Sequence, residues 1–221
     1  MDIPFTVEEF FGVFEAYNTA VAPMHVVAYF LGVAAVVAAL IRARLADRTA
    51  AGVMGFFWLW MGVAYHWLQF ARVNRAAYAF GILFVAQGAL LLWAGGLRGR
   101  LRFGAPQGAC GWLGVVFLAY AMLVYPVLGH LAGHVYPRAP WFGTAPCPTT
   151  IFTFGLLLWT TRRVPKGLLV IPFLWSLVGF SAAAQLGVTQ DYGLVVAGVA
   201  GTAALVLRDR AWGRGGEETP G

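Results

Sequence analysis

The stretch GHLAGHVYPRAPWFGTAPCPTTIF, residues 129–152, concentrates the reactive side chains of this chain between two very apolar runs. His130 and His134 stand four apart. On a helix such residues share a face, so two imidazoles can hold one metal ion, as other histidine pairs at this spacing do. Pro126, Gly129 and Gly133 weaken helix here, and no glutamate separates the histidines as in zinc proteases. Three readings of the pair are open: metal or haem ligation, hydrogen bonding to loop carbonyls, and proton relay. Cys147 lies between Pro146 and Pro148. If Pro148 is the first helical residue, Cys147 caps that helix, and the positive helix end favours its thiolate. Thr149 and Thr150 are alternative caps. A thiolate there is a soft-metal ligand or a nucleophile; a small buried cysteine in a tight turn is the plainer alternative.

His66 belongs to YHWLQ, with Gln69 about one turn away to orient it. A histidine within an apolar run usually faces a bundle interior. His25, Glu15 and Asp191 add polar groups near helix ends, and Gln87 and Gln185 lie inside apolar runs, where each can bond across helices. The chemistry these residues support is an outward-facing site of His66, His130, His134 and Cys147, with Glu15 or Asp191 supplying a carboxylate. Such a site would bind a transition metal or haem for redox or hydrolytic work.

Those residues must be positioned by elements of an unusual kind. Of 221 residues, 60% are hydrophobic and 11% charged, whereas a soluble domain carries about 25% charged residues. A chain this short cannot hide that much apolar surface in one aqueous core. An integral membrane protein in the inner (plasma) membrane is expected, with the lipid bilayer as its main partner. Apolar runs fall at about 23–41, 50–71, 77–96, 108–128, 149–161, 167–184 and 191–207. They are continuous rather than alternating, which predicts helices and not a barrel. The expectation is an all-α polytopic bundle of about seven transmembrane helices.

Charge orients it. With the N-terminus outside, the cytoplasmic segments carry Arg42, Arg44 and Arg48; Arg98, Arg100 and Arg102; Arg162, Arg163 and Lys166; and Arg208, Arg210 and Arg214. The outer side keeps Arg72, Arg75 and Arg138. This asymmetry is the positive-inside pattern and places the C-terminus inside. The net charge of +6 then needs no nucleic-acid partner.

Residues 1–22 read as an amphipathic segment on the outer surface. No Lys or Arg precedes Arg42, which is unlike a secretory signal peptide. Thr6 and Glu9 have capping-box spacing. Phe10, Phe14, Tyr17 and Val21 form a stripe, with Glu8, Glu15 and Asn18 off it, until Pro23 breaks the helix. Residues 23–207 form the bundle, and 208–221 read as a disordered cytoplasmic tail. A retinal pigment is excluded, because the single lysine, Lys166, falls in an inner loop. A Cys110–Cys147 disulfide is excluded by their placement at opposite membrane faces.

Five segments, PFTVEEFFGVFEAYN (4–18), YHWLQFARVNRAAYAFG (65–81), YPVLGHLAGHVYPRAPWFGTAPCPTTIFTFGLLL (125–158), IPFLWSLVGFSAA (171–183) and GVTQDYGL (187–194), resemble an uncharacterised bacterial family of small multi-pass membrane proteins, a domain-of-unknown-function family. The resemblance spans about residues 4 to 200. It implies a multi-pass architecture and supplies no activity. Besides the metal or haem site, two other functions remain open. One is a small-solute or ion carrier or channel, favoured by Pro126 and Pro172. The other is a structural or accessory subunit, with a membrane-protein partner or as a homo-oligomer.

Overall fold

Thr6 and Glu9 close the expected capping box. The Thr6 hydroxyl accepts from the Glu9 amide at 3.2 Å, and the Glu9 carboxylate accepts from the Thr6 amide at 2.7 Å. These bonds hold the Glu9 carboxyl below its usual range. They start α1 (Val7–Val21) in a computed structural model that describes residues 4–215, with side chains to Trp212. Pro23 ends α1 as expected, and α2 (Met24–Leu40) leaves at 82° to it. One expectation for α1 needs correction. Asn18 is buried and not on the wet face: its amide donates to the carbonyls of Pro137 (2.6 Å) and Ala139 (2.8 Å).

Every further element is helical; among the described residues there is no strand, only an isolated bridge between Phe103 and Thr160. α3 (Arg44–Trp60) passes into a π-helical turn at Met61–Trp67. α4 (Ala77–Leu91) does the same at Leu92–Leu97. α5 (Gly108–Ala119) runs through a π-helical turn at Tyr120–Val124 into α6 (Tyr125–Leu131). α7 (Pro146–Leu158), α8 (Gly167–Leu186) and α9 (Tyr192–Gly215) follow.

Four stretches are long and apolar enough to cross a membrane: Ala77–Leu97, Gly108–Leu131, Gly167–Leu186 and Thr189–Trp212. They are five if the bent pair α1 and α2 is one span. By length and composition, four or five of the seven expected runs qualify as spans. The physical reason lies in α3 and α7. α3 opens with Arg44, Asp47 and Arg48, and its π-helical extension ends with Tyr65, His66 and Trp67. α7 has 13 residues, roughly 20 Å of helix. It is apolar all round because it is the centre of the bundle: every residue from Pro148 to Leu158 is buried.

Small residues set the helix crossings, as expected where packing rather than water drives association. A Cβ on Gly155 of α7 would lie 2.8 Å from Leu118 Cγ and 3.1 Å from the Gly114 carbonyl of α5. Trp58 of α3 donates to Thr153 of α7 at 3.0 Å.

The basic segments gather at one end. Asp47 accepts from Arg102 and from the Phe103 amide, both at 2.8 Å. Arg208 donates to the carbonyls of Leu158 (3.2 Å) and Thr160 (3.1 Å), and Asp209 accepts from the Val164 amide at 2.8 Å. These anchors correct the expected disordered tail from residue 208. α9 stays helical through Gly215, where Arg208 and Arg210 suit its negative end. Residues 216–221 of that tail lie outside the described residues, as do residues 1–3 of the N-terminal segment.

Candidate functional site

At the end opposite the basic segments, α1 folds over the bundle. Phe14 stacks on Tyr65 with centroids 5.3 Å apart, and Tyr65 stacks on Phe70 at 5.6 Å. The Tyr17 hydroxyl accepts from Trp60 at 2.7 Å and donates to the Thr144 carbonyl at 3.2 Å. Arg138, in the proline-rich loop, pairs with Glu8 and Glu15. α1 is thus pinned to the loop of residues 132–145 and to the end of α3.

Beneath α1 lies a cavity of about 340 Å³. Its wall is mostly aromatic and apolar, including Phe10, Phe14, Tyr65, Phe70, Phe80 and Trp175. Its polar groups are few: Asn74, Cys147, Ser181, Gln185 and Asp191. Ser181 and Gln185 are exposed and mark where the cavity reaches the surface. This composition is that of a small-molecule pocket, apolar with a few converging polar groups.

Asp191 is the charged group of the pocket. It sits in the 3₁₀ turn Thr189–Asp191 that precedes α9 and is buried. The Tyr125 hydroxyl donates to its Oδ1 at 2.5 Å, a short bond of the kind a carboxylate acceptor makes. The Cys147 thiol faces the same carboxylate. None of the four ion pairs among the described residues includes Asp191. The Trp175 indole N–H, also on the wall, has no hydrogen-bond partner.

The expected histidine cluster does not form. His66 is fully buried, walled by Tyr65, Phe70, Phe80, Phe84 and Trp175, and neither ring nitrogen has a partner. Gln69 does not orient it. His130 is exposed at the end of α6. His134 stacks on Phe11 at 4.4 Å, and its Nδ1 meets Gln190 Nε2 at 3.2 Å. α6 stops at Leu131, before the second histidine, so the pair never shares a helical face. Among the described residues, no three His, Cys, Asp or Glu side chains come together as metal ligands.

Cys147 needs a second correction. Ala145 is the cap residue and Pro146 the first helical residue, so Cys147 lies inside the first turn. Thr149 satisfies the local backbone instead, accepting from Gly143 at 3.0 Å and donating to Ala145 at 2.8 Å. Glu15 is occupied by Arg138 at 3.6 Å. Gln185 donates to the Ser181 carbonyl at 3.0 Å, within its own helix, and borders the cavity. Of the expected site residues, the fold thus brings Cys147, Gln185 and Asp191 to one cavity and disperses the rest. Tyr65, Tyr125 and Trp175 are site residues that reading by chemistry alone passed over. Each lay in an aromatic-rich segment where rings at a membrane interface carry little information.

The fold and cavity define a class: an all-helical protein whose apolar helices are compatible with a membrane. Within that class the chain belongs to a family of unknown function, DUF6064, whose model matches residues 7–215. No curated protein and no solved structure matches it.

Proposed function

We propose that this is a multi-pass integral membrane protein that binds a small, largely apolar molecule in the cavity under α1. Its basic end faces the cytoplasm and the cavity faces the opposite side. The observation that carries this reading is Asp191. A buried carboxylate that meets no cation among the described residues stands in a largely apolar chamber of about 340 Å³. The Tyr125 hydroxyl bonds this carboxylate but no cation offsets its charge, so a ligand that brings a cation or a further hydrogen-bond donor gains affinity there. Aromatic walls favour a ring or a short apolar chain, and a cation near Trp175 or Tyr65 gains further from their faces. Supporting the orientation are the basic segments gathered at the far end. The metal or haem reading is not retained, because its ligands lie apart.

The test is intrinsic tryptophan fluorescence of the detergent-purified protein, titrated with 2-phenylethylamine and with 3-phenylpropionate as the anionic counterpart. The amine is expected to shift the emission saturably, and the acid to bind at least tenfold more weakly, the loss expected from about 1.4 kcal/mol of charge discrimination. Asp191→Asn removes the discrimination, and Ala182→Phe, which fills the chamber, removes both signals. Equal binding of amine and acid, or binding unchanged by Ala182→Phe, refutes the reading.

A further inference from the structure

The basic end carries a second recess that the cavity under α1 does not involve. Arg163, Lys166 and Arg210 line a pocket of about 190 Å³ beside the first turn of α8. None of the three has an ion-pair or side-chain hydrogen-bond partner among the described residues. One carboxylate, Asp209, also borders the pocket, but it is engaged elsewhere. Its Oδ1 accepts from Arg208 at 2.9 Å and its Oδ2 from the Val164 amide at 2.8 Å. Among the described residues the pocket therefore presents three unpaired cations, next to the positive end of a 20-residue helix.

The pocket does not stop there. Lys166, Leu169 and Val206 also line an adjoining groove of about 230 Å³ between α8 and α9. Val170, Phe173, Leu174 and Thr202 complete it. Apart from Lys166, the groove is apolar except for the Thr202 hydroxyl, which is buried and has no partner among the described residues. Both flanking helices are among the stretches long and apolar enough to cross a membrane.

We propose that this pocket and groove together bind one anionic phospholipid. Its phosphate sits among Arg163, Lys166 and Arg210, one acyl chain lies in the groove over Phe173 and Leu174, and Thr202 donates to an ester carbonyl. Charge complementarity selects this occupant. A zwitterionic lipid brings its own cation against three others, and a soluble phosphate has no use for the groove. Arginine meets phosphate oxygens in a planar fork and lysine meets them as a point charge, so the mixed set suits a headgroup approached from several sides.

Native mass spectrometry of the full chain in mild detergent tests this with dioleoyl-phosphatidylglycerol and dioleoyl-phosphatidylcholine. Each cation near a membrane surface is worth about fivefold in affinity, so the three together predict a preference for phosphatidylglycerol of about a hundredfold. The variant Arg163→Gln/Lys166→Gln/Arg210→Gln is expected to lose that preference. All three side chains are exposed, so their replacement leaves no buried group unpaired. Thr202→Val is expected to weaken both lipids equally, because both carry esters. Arg98→Gln/Arg100→Gln, whose cations lie over Trp93, changes the preference by less than about twofold if the site is local. The proposal is overturned if the triple variant keeps the preference, or if the Arg98/Arg100 variant loses it. Displacement of the lipid by millimolar inorganic phosphate also overturns it, since that marks a site for a free anion.

Discussion

His66 sits in a box of five rings with no partner for either nitrogen. Burying such a group without hydrogen bonds costs stability. Exchanging it for an apolar residue of similar size should therefore help the fold. His66→Met is expected to raise the thermal midpoint in mild detergent, corresponding to about 1 kcal/mol. A lower midpoint would mean that the imidazole makes a bond the fold depends on. His134 behaves differently because it lies outside the apolar spans. Burial against Phe11 pulls its imidazole below the usual 6.5, and the contact with Gln190 offsets part of this. The folded state thus resists its protonation. Stability present above pH 6.5 is lost as pH falls, since the unfolded chain takes up the proton first. His134→Gln should flatten the fall in thermal midpoint between pH 7 and pH 5. An unchanged slope would show that His134 contributes nothing to it.

At the scale of elements, two junctions hold the site end. The first is α1 against the loop of residues 132–145. Asn18 satisfies two loop carbonyls at once, so Asn18→Ala leaves both without that donor and should cost about 1–3 kcal/mol. Limited proteolysis checks this: faster cleavage within residues 132–145 is expected, and an unchanged rate would show that α1 does not hold the loop. The second junction is the crossing of α5 and α7. At Gly155 the two helices approach closely, and the Leu118 side chain and the Gly114 carbonyl crowd the space a side chain would need. Gly155→Leu should force the helices apart and lower stability by about 1–3 kcal/mol or more, read as a lower thermal midpoint. Because α7 carries Cys147 at its first turn, the same change should weaken ligand binding in the cavity under α1.

For the whole molecule, the four basic segments stand together at one end, and the cavity occupies the other. A reporter fused after Arg102 and another after Arg210 are both expected to lie in the cytoplasm, by the positive-inside pattern. A reporter on the opposite side at either position would reverse the orientation of the cavity. The two proposed sites make this orientation matter. The amine-selective chamber would then open to the outer side, while the phospholipid site would lie in the inner leaflet, where anionic lipids draw basic groups.

Much of the architecture was legible in order along the chain. Continuous apolar runs, the Thr6–Glu9 cap and the break at Pro23 are local matters of hydration, hydrogen bonding and ring sterics, so residues a few positions apart determine them. The excess of hydrophobic over charged residues likewise determined, without any structure, that the helices need an apolar surrounding. What tertiary structure alone decided is which helix is lipid-length and which is core. A run as apolar as α7 reads like a span, but its 13 residues are enclosed by the other helices. The site was decided the same way. Chemical reactivity pointed to the histidines, yet α6 ends at Leu131 and the aromatic packing of α1, α3 and α8 sends His66, His130 and His134 to three different surroundings. Asp191 and Tyr125, 66 residues apart, meet because the turn before α9 is packed against α6. Long-range proximity of that kind depends on how helix faces interlock, which no local pattern in the chain records.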